Sequence, residues 1–193
     1  MATQRLTPRY DRGLIARLER GFAVLRWRMW QVRYRELRGQ PTLRLGRGSH
    51  IIVADGGRIE LGRDVTARPD LTISTRGVVK LGDRVFLGRG ANIACYQEIS
   101  IGADTRIAER VSIHDSDHVM EPLSDLAGRR NDALVQPVRI GERVWLAANV
   151  VVLRGVTVGD DVVVGANSVV TSDLPAGVVA AGAPAQVIRP LAP

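Results

Sequence analysis

One periodicity constrains the fold of this chain of 193 residues more than any other feature of its sequence. Between residues 138 and 174 an aliphatic residue returns at every sixth position, and a second small or apolar residue stands four positions after each. The leading positions are Ile140, Leu146, Val152, Val158, Val164 and Val170, and the following ones are Val144, Val150, Val156, Val162, Ser168 and Leu174. A period of six fits neither the 3.6-residue period of a helix nor a plain two-residue alternation. It predicts short strands separated by corners, with three such walls in each coil of a solenoid.

The same repeat continues upstream with small insertions. Aliphatic-glycine pairs begin at Leu61, Leu81 and Ile101 with a spacing of twenty residues, and at Ile140 and Val158 with a spacing of eighteen. Eighteen residues make three hexads, and twenty make three hexads with two extra residues at one corner. We expect glycine at these points because a tight corner often needs a positive φ, which glycine adopts at low cost.

Charge divides the chain into two parts. Ten arginines and three acidic residues lie in residues 1–40, which therefore carry the whole net charge of +7, whereas residues 41–193 are balanced. The single cysteine, Cys95, excludes an internal disulfide and is expected to be an inert thiol. No apolar run is long enough for a transmembrane helix, and no apolar segment typical of a signal peptide is found near the N-terminus.

An apolar stripe at spacings of three and four predicts a basic amphipathic helix within residues 1–40, from Gly13 to Arg38. The stripe consists of Leu14, Leu18, Phe22, Leu25, Met29 and Val32. One interpretation is that the helix packs on the solenoid or on a neighbouring subunit as a cap. The other is peripheral contact of residues 13–38 with an anionic membrane surface. Nucleic acid is not expected as a partner, because no nucleic-acid-binding motif accompanies the charge.

The repeat breaks after Ile113 and resumes at Ile140. If the coil continued, Asp125 and Asn131 would fall at inward positions, where an unpaired polar group is costly. We therefore predict a β-solenoid over residues 41–174 with a protruding loop at 115–137. Residues 175–193 are predicted to form a cap or tail that hides the last strand edges. A long loop in an otherwise regular domain is usually functional.

Two of the three histidines stand at the start of this loop. His114 and His118 flank a short segment that includes Asp115 and Asp117. Histidine gains and loses a proton near neutral pH, and neighbouring carboxylates can orient it, so this cluster predicts a general base. A catalytic metal is not expected, because alternate strand positions point to opposite faces and no third histidine or cysteine lies nearby in sequence.

Four segments carry a resemblance to a known family: residues 137–146, 155–160, 164–171 and 181–189. They resemble the hexapeptide-repeat acyltransferases, and within them the maltose, galactoside and polysaccharide O-acetyltransferase group. The resemblance covers about residues 43–191. It implies an all-β fold, a left-handed parallel β-helix, which departs from the usual right-handed crossover. It also implies a homotrimer with active sites between subunits.

The resemblance also implies residue roles. Its register assigns the catalytic base to His118 rather than His114, with acetyl-CoA as co-substrate and no metal. The base would remove a proton from an acceptor hydroxyl, which then attacks the thioester. The acceptor-site candidates are Asn92, His114, Asp115, Asp117 and Trp145, the last of which could equally be a packing residue. The candidates for the CoA groove are Ala148, Ala166, Thr171, Ser172 and Arg189.

Two departures from the family pattern concern this groove. Ser172 stands where the family often has lysine, and Arg154 stands where it often has proline. Arg189 is the expected partner for a phosphate. We consider Arg154 as a source of the positive charge that a lysine at the position of Ser172 would supply.

The sequence thus predicts an acetyl-CoA-dependent O-acetyltransferase that acts on a sugar hydroxyl of a glycan or glycolipid precursor. The expected location is the cytoplasm, with peripheral contact at the inner membrane face. Alternatives of the same fold are an N-acetyltransferase on an amino-sugar nucleotide and a serine or xenobiotic acetyltransferase. Alternatives of a different class are a non-enzymatic β-helix scaffold and a metal-dependent hydratase, which would need His50 as a third ligand beside His114 and His118.

Overall fold

Three parallel sheets form the walls of a triangular β-helix in the computed structural model of the chain. The structure describes residues 21, 22, 25, 28, 29, 32, 37–39, 44–118 and 133–192. The chain passes from the first wall to the second, then to the third, and returns to the first one coil further along. Each strand pairs in parallel with its equivalents in the coils below and above, as in the register Ile99↔Val79 and Ile99↔Val138.

The strands of sheet A, in order along the solenoid, are β1 (Leu37–Gly39), β4 (Arg58–Leu61), β7 (Val78–Leu81), β10 (Glu98–Ile101), β15 (Val138–Ile140) and β18 (Thr157–Val158). Those of sheet B are β2 (Arg44–Leu45), β5 (Thr66–Ala67), β8 (Phe86–Leu87), β11 (Arg106–Ile107), β16 (Trp145–Leu146), β19 (Val163–Val164), β21 (Val178–Gly182) and β22 (Ala185–Pro190). Those of sheet C are β3 (His50–Val53), β6 (Thr72–Thr75), β9 (Asn92–Cys95), β12 (Ser112–His114), β17 (Val151–Val152) and β20 (Val169–Val170). A separate antiparallel ribbon consists of β13 (Ser116–His118) and β14 (Ala133–Val135).

The core is a stack of aliphatic side chains inside the prism. Every residue of both hexad series in residues 138–174 is buried, from Leu146 in sheet B to Val158 in sheet A, and Ser168 is the polar member. Because successive strand residues point to opposite faces, one residue of each pair fills the core and the next faces outward. The predicted parallel β-helix is confirmed.

The corner glycines have a different cause from the one predicted. Gly62, Gly82, Gly102, Gly141 and Gly159 do not have positive φ. A Cβ on Gly102 would instead lie 2.5 Å from the carbonyl carbon and oxygen of Gly141 in the next coil. The close approach of stacked backbones therefore excludes a side chain there. The positive φ falls two residues later at each corner, as at Arg84 (57°) and Arg143 (55°).

These left-handed positions carry charged side chains that pair from coil to coil. Arg84 donates two hydrogen bonds of 2.6 Å to the carboxylate of Asp104, one coil above. Arg143 binds Asp161 in the same way at 2.7 and 2.9 Å. The hydrogen bonds from Arg84 hold the pKa of Asp104 below its ordinary value.

The solenoid begins before the predicted boundary. Leu37–Gly39 form strand β1, which pairs with β4 through Leu37↔Ile59 and Gly39↔Leu61. The prediction that the helix extends to Arg38 is therefore wrong, because the backbone of these residues continues sheet A. The remainder of residues 1–40 lies largely outside the described part of the chain.

Six described residues upstream of β1 are helical: Gly21, Phe22, Leu25, Arg28, Met29 and Val32. The four apolar ones belong to the predicted stripe, and each is more than half exposed. Within the described part of the chain, no helix has the length and apolar character needed to span a membrane.

The C-terminal segment completes sheet B. β21 pairs in parallel with β19, and β22 then folds back antiparallel on β21 as the last strand of the sheet. Leu174, the end of the hexad series, is buried and bridges to Val158. Residues 178–190 therefore cover the final edge of sheet B.

Candidate functional site

The regular coil ends at a buried carboxylate. Asp115 continues the inward positions of Val111 and Ile113 and is completely buried. Its two oxygens accept hydrogen bonds from three backbone N–H groups of the coil below, those of Tyr96 (2.7 Å), Gln97 (2.7 Å) and Glu98 (2.9 Å). Hydrogen bonds from backbone donors offset the desolvation cost of burying a carboxylate, whereas an unpaired carboxylate bears that cost in full.

The prediction of Asp115 as an acceptor-site residue is not supported by this geometry. Both carboxylate oxygens face the backbone donors of the coil below, and the side chain has no exposed surface. Asp115 instead fixes the point at which the chain leaves the solenoid. The returning chain starts beside it, because Gln136 N–H donates to the carbonyl oxygen of Asp115 at 2.9 Å.

The chain leaves and re-enters the solenoid through the ribbon of β13 and β14. The register is Ser116↔Val135, Asp117↔Leu134 and His118↔Ala133. The imidazole of His118 is exposed at the outer end of β13. Among the described residues, no protein group hydrogen bonds to it. The base of the predicted 115–137 loop is therefore ordered, and it presents His118 to solvent.

Arg154 joins both sides of this ribbon to the coil above. Its Nε donates to Asp117 Oδ2 at 2.7 Å, and its Nη1 donates to Gln136 Oε1 at 2.6 Å. The suggestion that Arg154 supplies charge to a CoA groove is therefore not supported, because two protein acceptors occupy its guanidinium. The carboxylate of Asp117, predicted as an acceptor candidate, is equally occupied by this ion pair.

A row of polar side chains lies on the outer face of sheet C. Asn92 Nδ2 donates to Ser112 Oγ at 3.2 Å, and Ser112 Oγ lies 2.7 Å from His114 Nε2. All three side chains are half-buried. The row thus unites two predicted acceptor candidates, Asn92 and His114, through a hydroxyl that the sequence analysis missed.

A signal for Ser112 was present in the sequence. The twenty-residue spacing places Ser112 directly beside Asn92 in the parallel register, and alternation places it on the same face as His114. A hydroxyl between an amide and an imidazole holds both side chains in fixed orientations. The row therefore offers polar groups on a rigid strand rather than on a loop.

The candidates for the CoA groove lie on different parts of the prism. Ala148 and Ala166 occupy the same corner between sheets B and C in successive coils, joined by the bond from Asn167 N–H to the carbonyl oxygen of Ala148. Thr171 and Ser172 are exposed just beyond β20, and Arg189 is exposed on β22. The structure therefore brings Ala148 and Ala166 together and places Arg189 on sheet B, which borders their corner. Thr171 and Ser172 lie at the other end of sheet C.

Trp145 lies on the outer face of sheet B. It pairs with Arg106 below and Val163 above, and its side chain is 51% exposed. It is not a core residue of this chain. Its exposed ring is available to a ligand or to another protomer.

Cys95 faces the core, directly below Asp115. Its Sγ lies 3.5 Å from the carbonyl oxygen of Val78 and 3.6 Å from Asp115 Oδ2. Burial, with a smaller effect of the Asp115 charge, raises the pKa of the Cys95 thiol to about 12. This environment supports the prediction of an inert thiol, and the reactivity itself stays a prediction.

In the described part of the chain, no group of three His, Cys, Asp or Glu side chains is arranged to hold a metal ion. His50 lies on sheet C with His114, but β3 and β12 are separated by β6 and β9. Three strand spacings amount to about 14 Å, which is too far for two ligands of one ion.

Comparisons with known proteins show which family and which fold the chain is similar to. Residues 137–172 match the family model of the bacterial transferase hexapeptide, six repeats. WbbJ of Escherichia coli, named as an O-acetyl transferase of lipopolysaccharide biosynthesis, is 37% identical in an alignment 149 residues long that covers 71% of this chain and 74% of WbbJ. WcaF of the same bacterium, named as an acetyltransferase of colanic acid biosynthesis, is 38% identical over 130 residues, 67% of this chain and 68% of WcaF.

Solved structures share the fold. A hexapeptide-repeat acetyltransferase from Vibrio cholerae, complexed with acetyl-coenzyme A, superposes with a TM-score of 0.60 at 20% identity, over 95% of this chain and 92% of that chain. The repeat, the interrupted β-helix and the extended similarity to WbbJ and WcaF define one class of protein. The chain belongs to the hexapeptide-repeat acetyltransferases.

Proposed function

We propose that the chain transfers an acetyl group from acetyl-CoA to a hydroxyl of a sugar in a glycan or glycolipid precursor. The observation that carries this proposal is the similarity to WbbJ and WcaF over two thirds or more of each chain, since WbbJ is named for lipopolysaccharide biosynthesis and WcaF for colanic acid biosynthesis. The acetyl-CoA bound to the Vibrio cholerae protein of the same fold supports the choice of donor.

The proposed base is His118. Its imidazole nitrogen accepts the proton of the acceptor hydroxyl while the oxygen attacks the carbonyl carbon of the thioester. The tetrahedral oxyanion then collapses, the bond from carbon to sulfur breaks, and the imidazolium returns the proton to the leaving thiolate. The exposed position of His118 on an ordered ribbon supports this role, because a base must reach both substrates.

The row of Asn92, Ser112 and His114 is proposed as the acceptor site. Ser112 and His114 lie on β12, the strand that leads into β13, and His114 precedes His118 by four residues. An amide, a hydroxyl and an imidazole can each donate to or accept from sugar hydroxyls. Trp145 is a further candidate for contact with the sugar or with the pantetheine arm.

A homotrimer is proposed as the active assembly. The proposed contacts to CoA are divided between sheet B with its corner (Ala148, Ala166 and Arg189) and the far end of sheet C (Thr171 and Ser172). A neighbouring protomer alongside the solenoid would bring residues from two walls to one groove. Arg189 would then bind a phosphate by charge-assisted hydrogen bonds.

Peripheral contact with the inner membrane face is proposed for the N-terminal segment. Phe22, Leu25, Met29 and Val32 are helical and exposed, and residues 1–40 carry the whole net charge. An exposed apolar stripe on an arginine-rich helix favours anionic lipid. Such contact would hold the enzyme near lipid-linked sugars.

The test is release of the CoA thiol from acetyl-CoA in the presence of mono- and oligosaccharide acceptors, with mass spectrometry of the products. We expect a mass increase of one acetyl group that mild alkali removes, as an ester requires. Transfer to amino sugars alone, giving a product stable to alkali, would indicate N-acetylation instead. Release that is independent of every sugar would contradict the proposal.

A further inference from the structure

Arg154 lies in the corner that follows β17, one coil above the ribbon of β13 and β14. Its guanidinium binds Asp117 on the outgoing strand and Gln136 just beyond the returning strand. These two acceptors are separated by the whole loop in sequence. One side chain of the rigid solenoid therefore ties together both strands that carry the loop.

The backbone reinforces this contact. Gly155 N–H donates to the carbonyl oxygen of Gln136 at 3.0 Å. A Cβ on Gly155 would lie 2.8 Å from Gln136 Oε1, so the corner and the returning chain are in close contact. Gln136 is thus held by its backbone on both sides, since its own N–H binds Asp115.

Alternation on β13 places the side chains of Asp117 and His118 on opposite faces of the ribbon. Arg154 therefore holds the ribbon from the face opposite the imidazole. The side chain of Arg154 is 29% exposed, so solvent screens its bonds less than those of a fully exposed arginine. The planar guanidinium holds its N–H donors in a rigid fork, so that Nε and Nη1 reach two separate acceptors at once.

We propose that Arg154 is a positioning residue, which clamps Asp117 and Gln136 and thereby fixes the location of His118 for acetyl transfer. This inference rests on the proposed role of His118 as the base. A misplacement of about 1 Å in a reacting group can reduce the rate by roughly 100-fold. The clamp therefore contributes to kcat without contact with either substrate.

The experiment compares Arg154→Ala, Arg154→Lys and Asp117→Asn in the full chain, with Arg89→Ala as the matched control. Arg89 is an exposed corner arginine that pairs with Asp70, away from the ribbon. Two readouts are measured: hydrogen-deuterium exchange of peptides covering residues 113–118 and 133–138, and kcat and KM for both substrates. Thermal unfolding shows that each variant is folded.

We expect exchange in the two ribbon peptides to become about tenfold faster or more in Arg154→Ala, since two hydrogen bonds to a charged group are lost. We expect kcat to fall by about 10- to 100-fold with KM for acetyl-CoA changed by less than about threefold. Arg154→Lys should restore part of kcat, because an ammonium retains the pair with Asp117 but not both bonds. Arg89→Ala should match the wild type in both readouts.

Unchanged exchange in Arg154→Ala would overturn the clamp. Faster exchange with an unchanged kcat would overturn the positioning role. If the wild-type chain transfers no acetyl group to any acceptor, the proposed function fails, whereas the exchange data still decide whether Arg154 holds the ribbon.

Discussion

Asp115 gives the sharpest test of how the solenoid ends where the loop begins. Its carboxylate accepts three hydrogen bonds from the backbone of residues 96–98 and is fully buried. In Asp115→Ala these three N–H groups lose their partner. Each buried unsatisfied donor costs about 1–3 kcal/mol, so the loss of unfolding free energy is about 3–6 kcal/mol when partial access of water is allowed for.

Asp115→Asn keeps the volume of the side chain and changes its hydrogen bonds, so it separates these two contributions to stability. The amide keeps one acceptor oxygen, but its NH2 group faces backbone donors instead of accepting from them. We therefore expect a loss of about half that of the alanine variant, on the order of 2–3 kcal/mol. Asp55→Asn is the control, because Asp55 is an exposed corner residue with a positive φ that asparagine also tolerates. Its substitution should change stability by less than about 0.5 kcal/mol.

The assay is urea unfolding followed by far-UV circular dichroism, with the slope m compared among the variants. A loss of less than about 1 kcal/mol in Asp115→Ala, with an unchanged m, would refute this reasoning. It would mean that the three donors find other partners in the folded state. The loop base would then be held by the ribbon alone.

Three further predictions test other parts of the molecule. Gly102→Ala should cost about 2–3 kcal/mol in urea unfolding, because its Cβ meets the Gly141 backbone, whereas Gly56→Ala should cost about 1 kcal/mol for its positive φ alone. Equal losses would contradict the close-approach explanation. Cys95 should react with an alkylating reagent far more slowly in the native state than in urea at mildly alkaline pH, because its pKa of about 12 keeps it protonated; rapid native labelling would contradict its burial. Full-length protein should co-sediment with anionic vesicles at low salt and lose this with residues 1–36 deleted; a full-length chain that stays in the supernatant would exclude the membrane proposal.

The solenoid was predictable because its signal is repeated. Each wall of each coil buries residues at the same places in its hexad, so the same six-residue period appears many times. Residues such as Leu146 and Val164 are buried as the pattern predicted. The break in that period also located the loop, since Asp115 and Gln136 mark its base in the structure. Because the pattern is repeated, the inward positions of such a chain can be predicted from the sequence alone.

Contacts between coils were harder to predict from the sequence. The pairing of Arg154 with Asp117 and Gln136 depends on stacking across a loop, and no spacing in the sequence fixes which corner arginine lies above which strand. The short strand β1 was missed because its residues follow a helical pattern and their partner in β4 is about twenty residues away. The corners at the glycines were predicted correctly, but the reason given for glycine was wrong, because backbone approach between coils is a property of the stack.

Some of the site residues could be predicted from the sequence and others could not. The broken repeat drew attention to His114 and His118 together, and the resemblance to the family chose His118 as the base. Its catalytic role stays a prediction. Ser112 was missed because a serine in a strand carries little signal alone, and its importance lies in the contacts with Asn92 and His114.

Acetyl transfer by His118→Ala, measured beside His114→Ala and the wild type, decides whether the imidazole on the ribbon is the base. With a responsive acceptor, we expect kcat of His118→Ala to fall by about 10²–10⁴-fold at an unchanged melting temperature. His114→Ala should retain more of its kcat and mainly raise KM for the acceptor, since His114 lies in the row with Ser112. Wild-type turnover in His118→Ala, or the large loss in His114→Ala instead, would contradict the assignment.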